Sequence, residues 1–323
     1  TAAVMGAEPI FLPPSADGDG DGRAIGYVTS ANYGYSVGKY IAYGYLPASR
    51  AVVGTKVTIV EALDRVLPVE DRDSSALLEK AYRKRGMEIY TGARLEKAEV
   101  GKDGVRLTVV AKNGKPQVLE VERVLLAVGR APIVQDIGLE AVGVKVERGF
   151  IAVDDKMRTN VPGIYAIGDV ARPPLLAHKA SHEGVAAVEA IAGDPHAGVD
   201  YGNIPNVTYC HPEVASVGLT EEDARGRGLD IEVGVFPWSA NGRARTAGET
   251  EGFVKVIRER RYGELVGAHV VGPHASELIG EFVVGRHLET TAEEMERAIH
   301  PHPTLSEAIA EAALASLGRP LHI

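Results

Sequence analysis

An α/β unit followed by an α+β unit, with a short β-rich segment in front, is the fold class that the sequence predicts. Three observations carry it. Residues 56–61 (KVTIVE) are a nearly continuous apolar run, as in a buried parallel strand, and helical spacing follows over 71–85. From residue 202 onward, strand-like and helical stretches occur in an order that suits an antiparallel sheet with helices. Before residue 54 there is no helix cap and no helical period, and six of the twelve tyrosines lie between Tyr27 and Tyr45.

In chain order, Pro13-Pro14 and the Gly/Asp run from Asp17 to Gly22 are turn chemistry. Short strands are expected around Tyr27, Val28 and Thr29 and around Ile41, Tyr43 and Tyr45. The helix over 71–85 places Leu77, Leu78 and Ala81 on one side, and Gly86 stops it. A strand is expected at 87–90. Residues 105–110 and 119–121 alternate as an antiparallel pair with Asn113-Gly114 as the turn signal. Residues 124–128 and 164–167 read as further buried strands, the second ending at Gly168-Asp169, and a helix is expected over 178–191. In the last part, strands are expected at 207–209, 231–237, 253–258 and 265–271, with helices at 221–227, 275–287, 292–298 and 304–317.

At 323 residues the chain has room for two or three domains, at about 150 residues each. A net charge of −9 argues against a nucleic-acid partner, because an acidic chain gains nothing from displacing phosphate counterions. No apolar run reaches the roughly 18 residues of a membrane span. No signal-peptide pattern is seen at the start, where Glu8, Asp17, Asp19 and Asp21 stand, and the first residue is Thr1, as expected of a fragment or a processed chain. The single cysteine, Cys210, excludes an intramolecular disulfide and a cysteine-rich zinc site; no metal is expected, and a cytoplasmic setting is.

The strongest chemical signal is His300-Pro301-His302-Pro303-Thr304-Leu305-Ser306-Glu307. Thr304 and Glu307 have the spacing of a capping box, which is a purely structural use of Glu307. The functional alternative pairs Glu307 with one ring nitrogen of His302, fixing the tautomer and leaving His302 as a general acid/base. His300 is expected to be a surface-turn residue. Cys210 beside His211 suggests a nucleophile, but activation needs pairing in space, and a small residue in a strand is the preferred reading.

HPHPTLSE, the alanine-rich helix after it and the ending Gly318-Arg319-Pro320-Leu321-His322 resemble the dihydrolipoyl dehydrogenases, flavoproteins of the pyridine nucleotide–disulfide oxidoreductase family. The resemblance runs from about Gly54 to Ile323. It implies partial NAD-binding and FAD-binding Rossmann-like segments followed by an α+β dimerisation domain, an oxidoreductase that passes electrons from dihydrolipoamide through FAD to NAD, and a homodimer. It also implies as partners the lipoyl domains of 2-oxoacid dehydrogenase or glycine cleavage complexes. His302 and Glu307 would be catalytic. Asp169 would bind the flavin ribityl chain. Leu175, Leu176, Ala177 and His178 would lie at the isoalloxazine, where a helix N-terminus stabilises negative charge. Glu61, ending KVTIVE, would bind the NAD ribose, and Leu95 and Gly129 would be further NAD contacts. Tyr209-Cys210-His211-Pro212-Glu213-Val214-Ala215 resembles the opening of the family's interface domain.

Three of the family's parts are missing from the sequence. It contains no G-x-G-x-x-G turn for FAD pyrophosphate, no C-x-x-x-x-C redox disulfide, and no Gly-rich turn before KVTIVE for NAD. Gly34 and Gly38-Lys39 do not make a phosphate-binding loop, since Tyr33 stands where that motif needs glycine. In place of the missing half, Gly26 to Lys39, Ile41-Ala42-Tyr43 and Tyr45-Leu46-Pro47 resemble the C-terminal barrel of aminomethyltransferase-like and dimethylglycine dehydrogenase-like proteins. Both patterns fit at Gly54-Thr55-Lys56-Val57, which suggests a fusion there. The expected domains are 1–53, a β-rich aminomethyltransferase-like fragment; 54–128, a partial NAD-binding domain; 129–200, the FAD-domain return segment; and 201–323, the interface domain. The competing reading is a non-catalytic dimerisation and nucleotide-contact remnant or a fusion protein. A folate or one-carbon function is disfavoured, because about 50 residues cannot close a barrel.

Overall fold

The computed structural model describes residues 56–323 in full and, before them, only the backbone of three strands: β1 (Pro9–Ile10), β2 (Gly26–Gly34) and β3 (Lys39–Tyr45). β2 and β3 form an antiparallel hairpin, with β1 against β2. The tyrosine-rich stretch is therefore strand, as its turn-punctuated pattern predicts; its side chains, the Asp17–Gly22 run and Gly54 lie outside the described residues. The chain divides into two units, residues 1–57 and 58–323.

The second unit opens with β4 (Thr58–Val60), α1 (Arg72–Lys84) and β5 (Glu88–Tyr90), and β4 and β5 pair in parallel. This is the strand–helix–strand unit read from KVTIVE and Leu78/Ala81, both of which are buried on α1. β6 (Arg94–Val100), β7 (Val105–Val110) and β8 (Pro116–Val121) form an antiparallel sheet around the Asn113-Gly114 turn. β6 is missed by pattern reading because every residue on it is exposed, so no apolar alternation marks it. Next come α2 (Leu139–Val142), the two-residue strands β9 (Val146–Glu147) and β10 (Phe150–Ile151), and α3 (Ala177–Ala192).

Two expected strands are not strands. Residues 124–128 have no ladder partner, and Leu125 and Val128 are 68% and 92% exposed. An apolar run becomes a strand only when another backbone satisfies its N–H and C=O groups, and β4–β5 supplies no such neighbour. Residues 164–167 do not join a parallel sheet either; they make a short bridge to 157–159, with Ala166 N–H donating to the Met157 carbonyl at 3.1 Å. The exposed Val185, Val188 and Ile191 on α3 repeat the same theme of apolar faces without cover.

The last part is β11 (Asn206–Thr208), β12 (Glu213–Gly218), α4 (Glu221–Gly226), β13 (Ile231–Pro237), α5 (Gly242–Ala247), β14 (Phe253–Glu259), β15 (Leu265–Gly272), α6 (Ala275–His287), α7 (Ala292–Arg297) and α8 (Glu307–Ser316). The strands form one antiparallel sheet, ordered β11-β12-β15-β14-β13. One face carries Ala215, Val217, Val254, Val256, Ala268 and Val270 into the main core with α6 and α8. α8 lies very close to β13: a Cβ added at Gly234 would stand 2.1 Å from the Ala312 carbonyl oxygen, so only glycine fits.

The opposite face carries a polar row. Asn206, Ser216, His269 and Lys255 stand side by side across β11, β12, β15 and β14. α1 closes over this row with its N-terminus. Asp71 caps α1 through Asp73 N–H (3.0 Å) and also accepts from Lys255 (2.9 Å) and from Glu221 N–H (3.1 Å). Lys255, 2% exposed, also reaches Asp73 at 2.7 Å and Glu221 at 2.8 Å. Burial works against the charge on Lys255, but Asp73, Glu221 and Asp71 outweigh it and push the ammonium well above the ordinary lysine range. Burial pushes the imidazole of His269 down, despite the opposing pull of Asp71.

Two outcomes follow. Lys255→Ala leaves Asp71 buried and unpaired and should cost about 3–5 kcal/mol, read from the urea midpoint. His269 has a folded value depressed below its ordinary 6.5, so its contribution is present above 6.5 and is lost as pH falls beneath it. The urea midpoint should therefore drop between about pH 7 and pH 5, and His269→Gln should flatten that drop; equal slopes in the two proteins would contradict it.

Candidate functional site

The C-terminal site is a loop held against the start of α8. Glu307 is the first residue of that helix, and its carboxylate divides its work. Oε1 meets His302 Nδ1 at 2.8 Å, while Oε2 accepts from Thr304 N–H at 2.8 Å. The bond that organises the loop at Thr304 and the bond to His302 thus coexist, one on each oxygen. The capping box itself is half-formed, because the Thr304 hydroxyl turns to the Pro301 carbonyl at 2.6 Å. Burial alone would raise the Glu307 carboxyl, but the Thr304 N–H and His302 outweigh it and hold it below the usual range.

His302 is largely exposed, with its side chain 77% accessible. With Nδ1 committed to Glu307, the proton is drawn to that nitrogen and Nε2 is left as the acceptor. Such a pair can take a proton from a thiol and return it. Asn241, 3% exposed, anchors the loop from outside: its amide donates to the Thr304 carbonyl at 3.0 Å, and its Oδ1 caps α5. Its N-cap position before Gly242 is a readable signal for the cap but not for the loop.

His300 corrects the surface-turn expectation. Its ring is 8% exposed, and Nε2 meets Glu281 of α6 at 2.7 Å. The Glu281 carboxylate raises this histidine despite burial. Cys210 is also placed differently from expectation: it sits in the turn between β11 and β12 rather than in a strand. Burial pushes its thiol up, and the thiol donates to the Pro212 carbonyl at 3.0 Å, which is no setting for a thiolate nucleophile.

A second cluster surrounds Asp169. Gly168 lies in left-handed conformation at φ +73°, and Asp169 follows in a single 3-10 turn. Arg130, beside Gly129, stands 3.9 Å from the Asp169 carboxylate and donates to the Leu175 carbonyl at 3.1 Å. It thereby ties Gly129-Arg130, Asp169 and Leu175 into one neighbourhood. α3 begins at Ala177 behind Leu176 with no side-chain cap, so its first N–H groups point out of the helix unmet by a side chain. His178 is turned away, with Nε2 at 2.9 Å from the Pro205 carbonyl.

The third set is looser. Glu61 follows β4; Oε1 accepts from Leu63 N–H at 2.8 Å, and its carbonyl accepts from Ala93 N–H at 3.0 Å, two residues before Leu95 on β6. Gly129 adopts φ +103° at the end of the unpaired 124–128 segment. Among the described residues no group of three or more His, Cys, Asp or Glu could hold a metal ion, and no helix is long and apolar enough to cross a membrane.

Residues 40–184 match the pyridine nucleotide-disulphide oxidoreductase model and residues 204–313 match that family's dimerisation domain. From residue 40 onward, the chain belongs to the pyridine nucleotide–disulphide oxidoreductase family. Its similarity within the family is to dihydrolipoyl dehydrogenases: 49% identity over 271 residues to that of Rhizobium etli, and 44% over 279 residues to that of Geobacillus stearothermophilus. These matches take in 84% and 86% of this chain but 56% and 59% of the relatives, so the chain spans little more than half their length. Among solved structures, LpdA from Mycobacterium tuberculosis matches at 31% identity and TM-score 0.74, over 80% of this chain and 56% of that one. The HOCl-induced flavoprotein disulfide reductase RclA from Escherichia coli matches at 27% identity and TM-score 0.74, over 80% of this chain and 59% of that one. Residues 1–70 match the glycine cleavage T-protein C-terminal barrel domain, in line with the resemblance read from Gly26 to Pro47.

Glu307→Ala should free the His302 ring and the Thr304 N–H together. The expected cost is about 1 kcal/mol in chemical denaturation, with Glu307→Gln closer to wild type because it keeps an acceptor. Equal stability of the alanine variant and wild type would show that the carboxylate is not holding the loop.

Proposed function

We propose that this chain carries the acid–base pair and the C-terminal flavin contacts of a dihydrolipoyl dehydrogenase-type oxidoreductase, and that it lacks the means to relay thiol electrons by itself. The observation that carries the reading is the 2.8 Å bond from His302 Nδ1 to Glu307, on a ring whose Nε2 makes no hydrogen bond among the described residues. His302 would take the thiol proton of dihydrolipoamide at Nε2, and Glu307 would steady the resulting imidazolium.

FAD fits one part of the chain. Asp169, projected by the Gly168 turn, suits a ribityl hydroxyl, and the uncapped start of α3 at Leu175, Leu176, Ala177 and His178 suits an electron-rich ring edge. Bound there, FAD would supply the two-electron acceptor between the thiol and NAD. NAD fits less well: Glu61 suits a ribose, with Leu95 and Gly129 as neighbours, but the sequence has no Gly-rich turn for the pyrophosphate.

A homodimer joined through this last part is supported by the dimerisation-domain match over 204–313, and the exposed Ile299, next to His300, with Val284 and Leu288 at the end of α6 suit such an interface. The division into 1–53, 54–128, 129–200 and 201–323, a fusion at residues 54–57, a cytoplasmic setting and lipoyl domains as partners belong to the same reading. With one cysteine, the chain cannot form the disulfide through which a dithiol is oxidised. Purified chain given dihydrolipoamide and NAD should therefore form no NADH above background. NADH production lost on His302→Gln would overturn the claim of an incomplete enzyme while upholding the role of His302.

A further inference from the structure

One buried ion pair has no part in the proton chemistry above. Lys179 and Glu183 stand one turn apart on α3, 3.0 Å from each other, with both side chains fully buried. Two charges held away from water lose several kcal/mol of hydration each, and hydrogen bonds must offset that loss. Their partners here are specific. Gly168 N–H donates to Glu183 Oε2 at 2.6 Å, and the Gly168 carbonyl accepts from Lys179 Nζ at 3.0 Å. Lys179 also donates to the Arg172 carbonyl at 2.7 Å. The Tyr201 hydroxyl donates to the other oxygen of Glu183 at 2.6 Å.

The pair therefore grips both backbone polar groups of Gly168 and the carbonyl four residues on, the two ends of the turn that carries Asp169. Gly168 sits so close to α3 that an added Cβ would lie 3.4 Å from Ala180 Cβ. Asp169 itself is 43% exposed at the side chain, with Arg130 at 3.9 Å. The backbone on either side of it is fixed while its carboxylate stays available.

We infer that Lys179 and Glu183 are positioning residues that fix the Gly168–Asp169 turn and so aim the Asp169 carboxylate at the ribityl chain of a bound flavin. This rests on the FAD reading given above. The bonds to Gly168 and Arg172 lie outside α3, so the pair acts on the turn as well as on the helix. Bonds from charged groups are about twice as strong as neutral ones, which suits a turn held in a left-handed conformation.

The test uses the full chain, wild type, Glu183→Gln and Tyr201→Phe, in two measurements. The first is the amide spectrum of flavin-free protein labelled with [15N]glycine. The Gly168 resonance should lie downfield in wild type and move upfield in Glu183→Gln. The second is FAD titration followed by flavin fluorescence. Glu183→Gln should bind about tenfold more weakly or worse, with Tyr201→Phe, which keeps the charge, in between. Unfolding temperatures of the flavin-free proteins separate this from a general loss of structure; if Glu183→Gln does not fold, Tyr201→Phe decides.

An unmoved Gly168 amide would overturn the grip. A moved amide with unchanged FAD affinity would overturn the aiming of Asp169. Wild type that binds no FAD would sink the flavin reading, and the aiming with it, while the amide shift would still decide whether the pair holds the turn.

Discussion

Lys255 is the residue on which the second unit depends. It brings the N-terminus of α1, the start of α4 and strand β14 of the five-stranded sheet to one point, through Asp71, Asp73 and Glu221. Lys255 and Asp71 are both buried, so loss of either leaves the other's charge away from water without its closest buried partner. This joint works beside an apolar seam in which Leu78 of α1 packs on Val214, Phe253 and Val271 of the sheet, while the core of the α/β part itself is small. β4–β5 is a two-stranded parallel sheet, and segment 124–128 and one face of α3 are uncovered. The nucleotide-type elements are held by being fastened to the interface sheet rather than by a complete core of their own.

The candidate site depends on the same economy of groups. Glu307 uses one oxygen to organise the loop at Thr304 and the other to orient His302. Asn241 and the close approach of α8 to Gly234 fix where that carboxylate stands. At the other end, Lys179 and Glu183 hold the turn from Gly168 to Arg172. Both arrangements place an exposed functional group on a rigid buried base. The one thiol of the sequence, Cys210, is half-buried and donates to a carbonyl, and there is no second cysteine with which it could form an intramolecular disulfide.

Much of this was legible beforehand where local pattern and tertiary packing agree. The strand 231–237 and the helix 275–287 have the same bounds in sequence and structure, and the helix buries Ala275, Ile279, Phe282 and Gly285 at helical spacing. The His302–Glu307 pairing is readable because both members lie in one short motif. The failures have physical causes. Apolar runs at 124–128 and 164–167 look like strands, but among the described residues the first has no ladder partner and the second makes only a single bridge, at Tyr165. β6 has no buried face to give it away, and β12 was hidden by its mixed Glu-Val-Ala-Ser composition. His300 reads as a surface turn in the sequence because its partner, Glu281, lies on another element. Lys255 and His269 could not be foreseen, because a polar residue in an apolar strand reveals nothing of what covers it.

The most direct test is the visible absorption spectrum of the purified full chain after incubation with FAD and removal of the excess. The account predicts a bound-flavin spectrum at about one FAD per chain, with the flavin held less tightly than in a complete flavoprotein because no Gly-rich turn holds the pyrophosphate. A colourless protein that is nonetheless folded and dimeric would contradict it, leaving the interface sheet and its histidine loop as a scaffold without a cofactor.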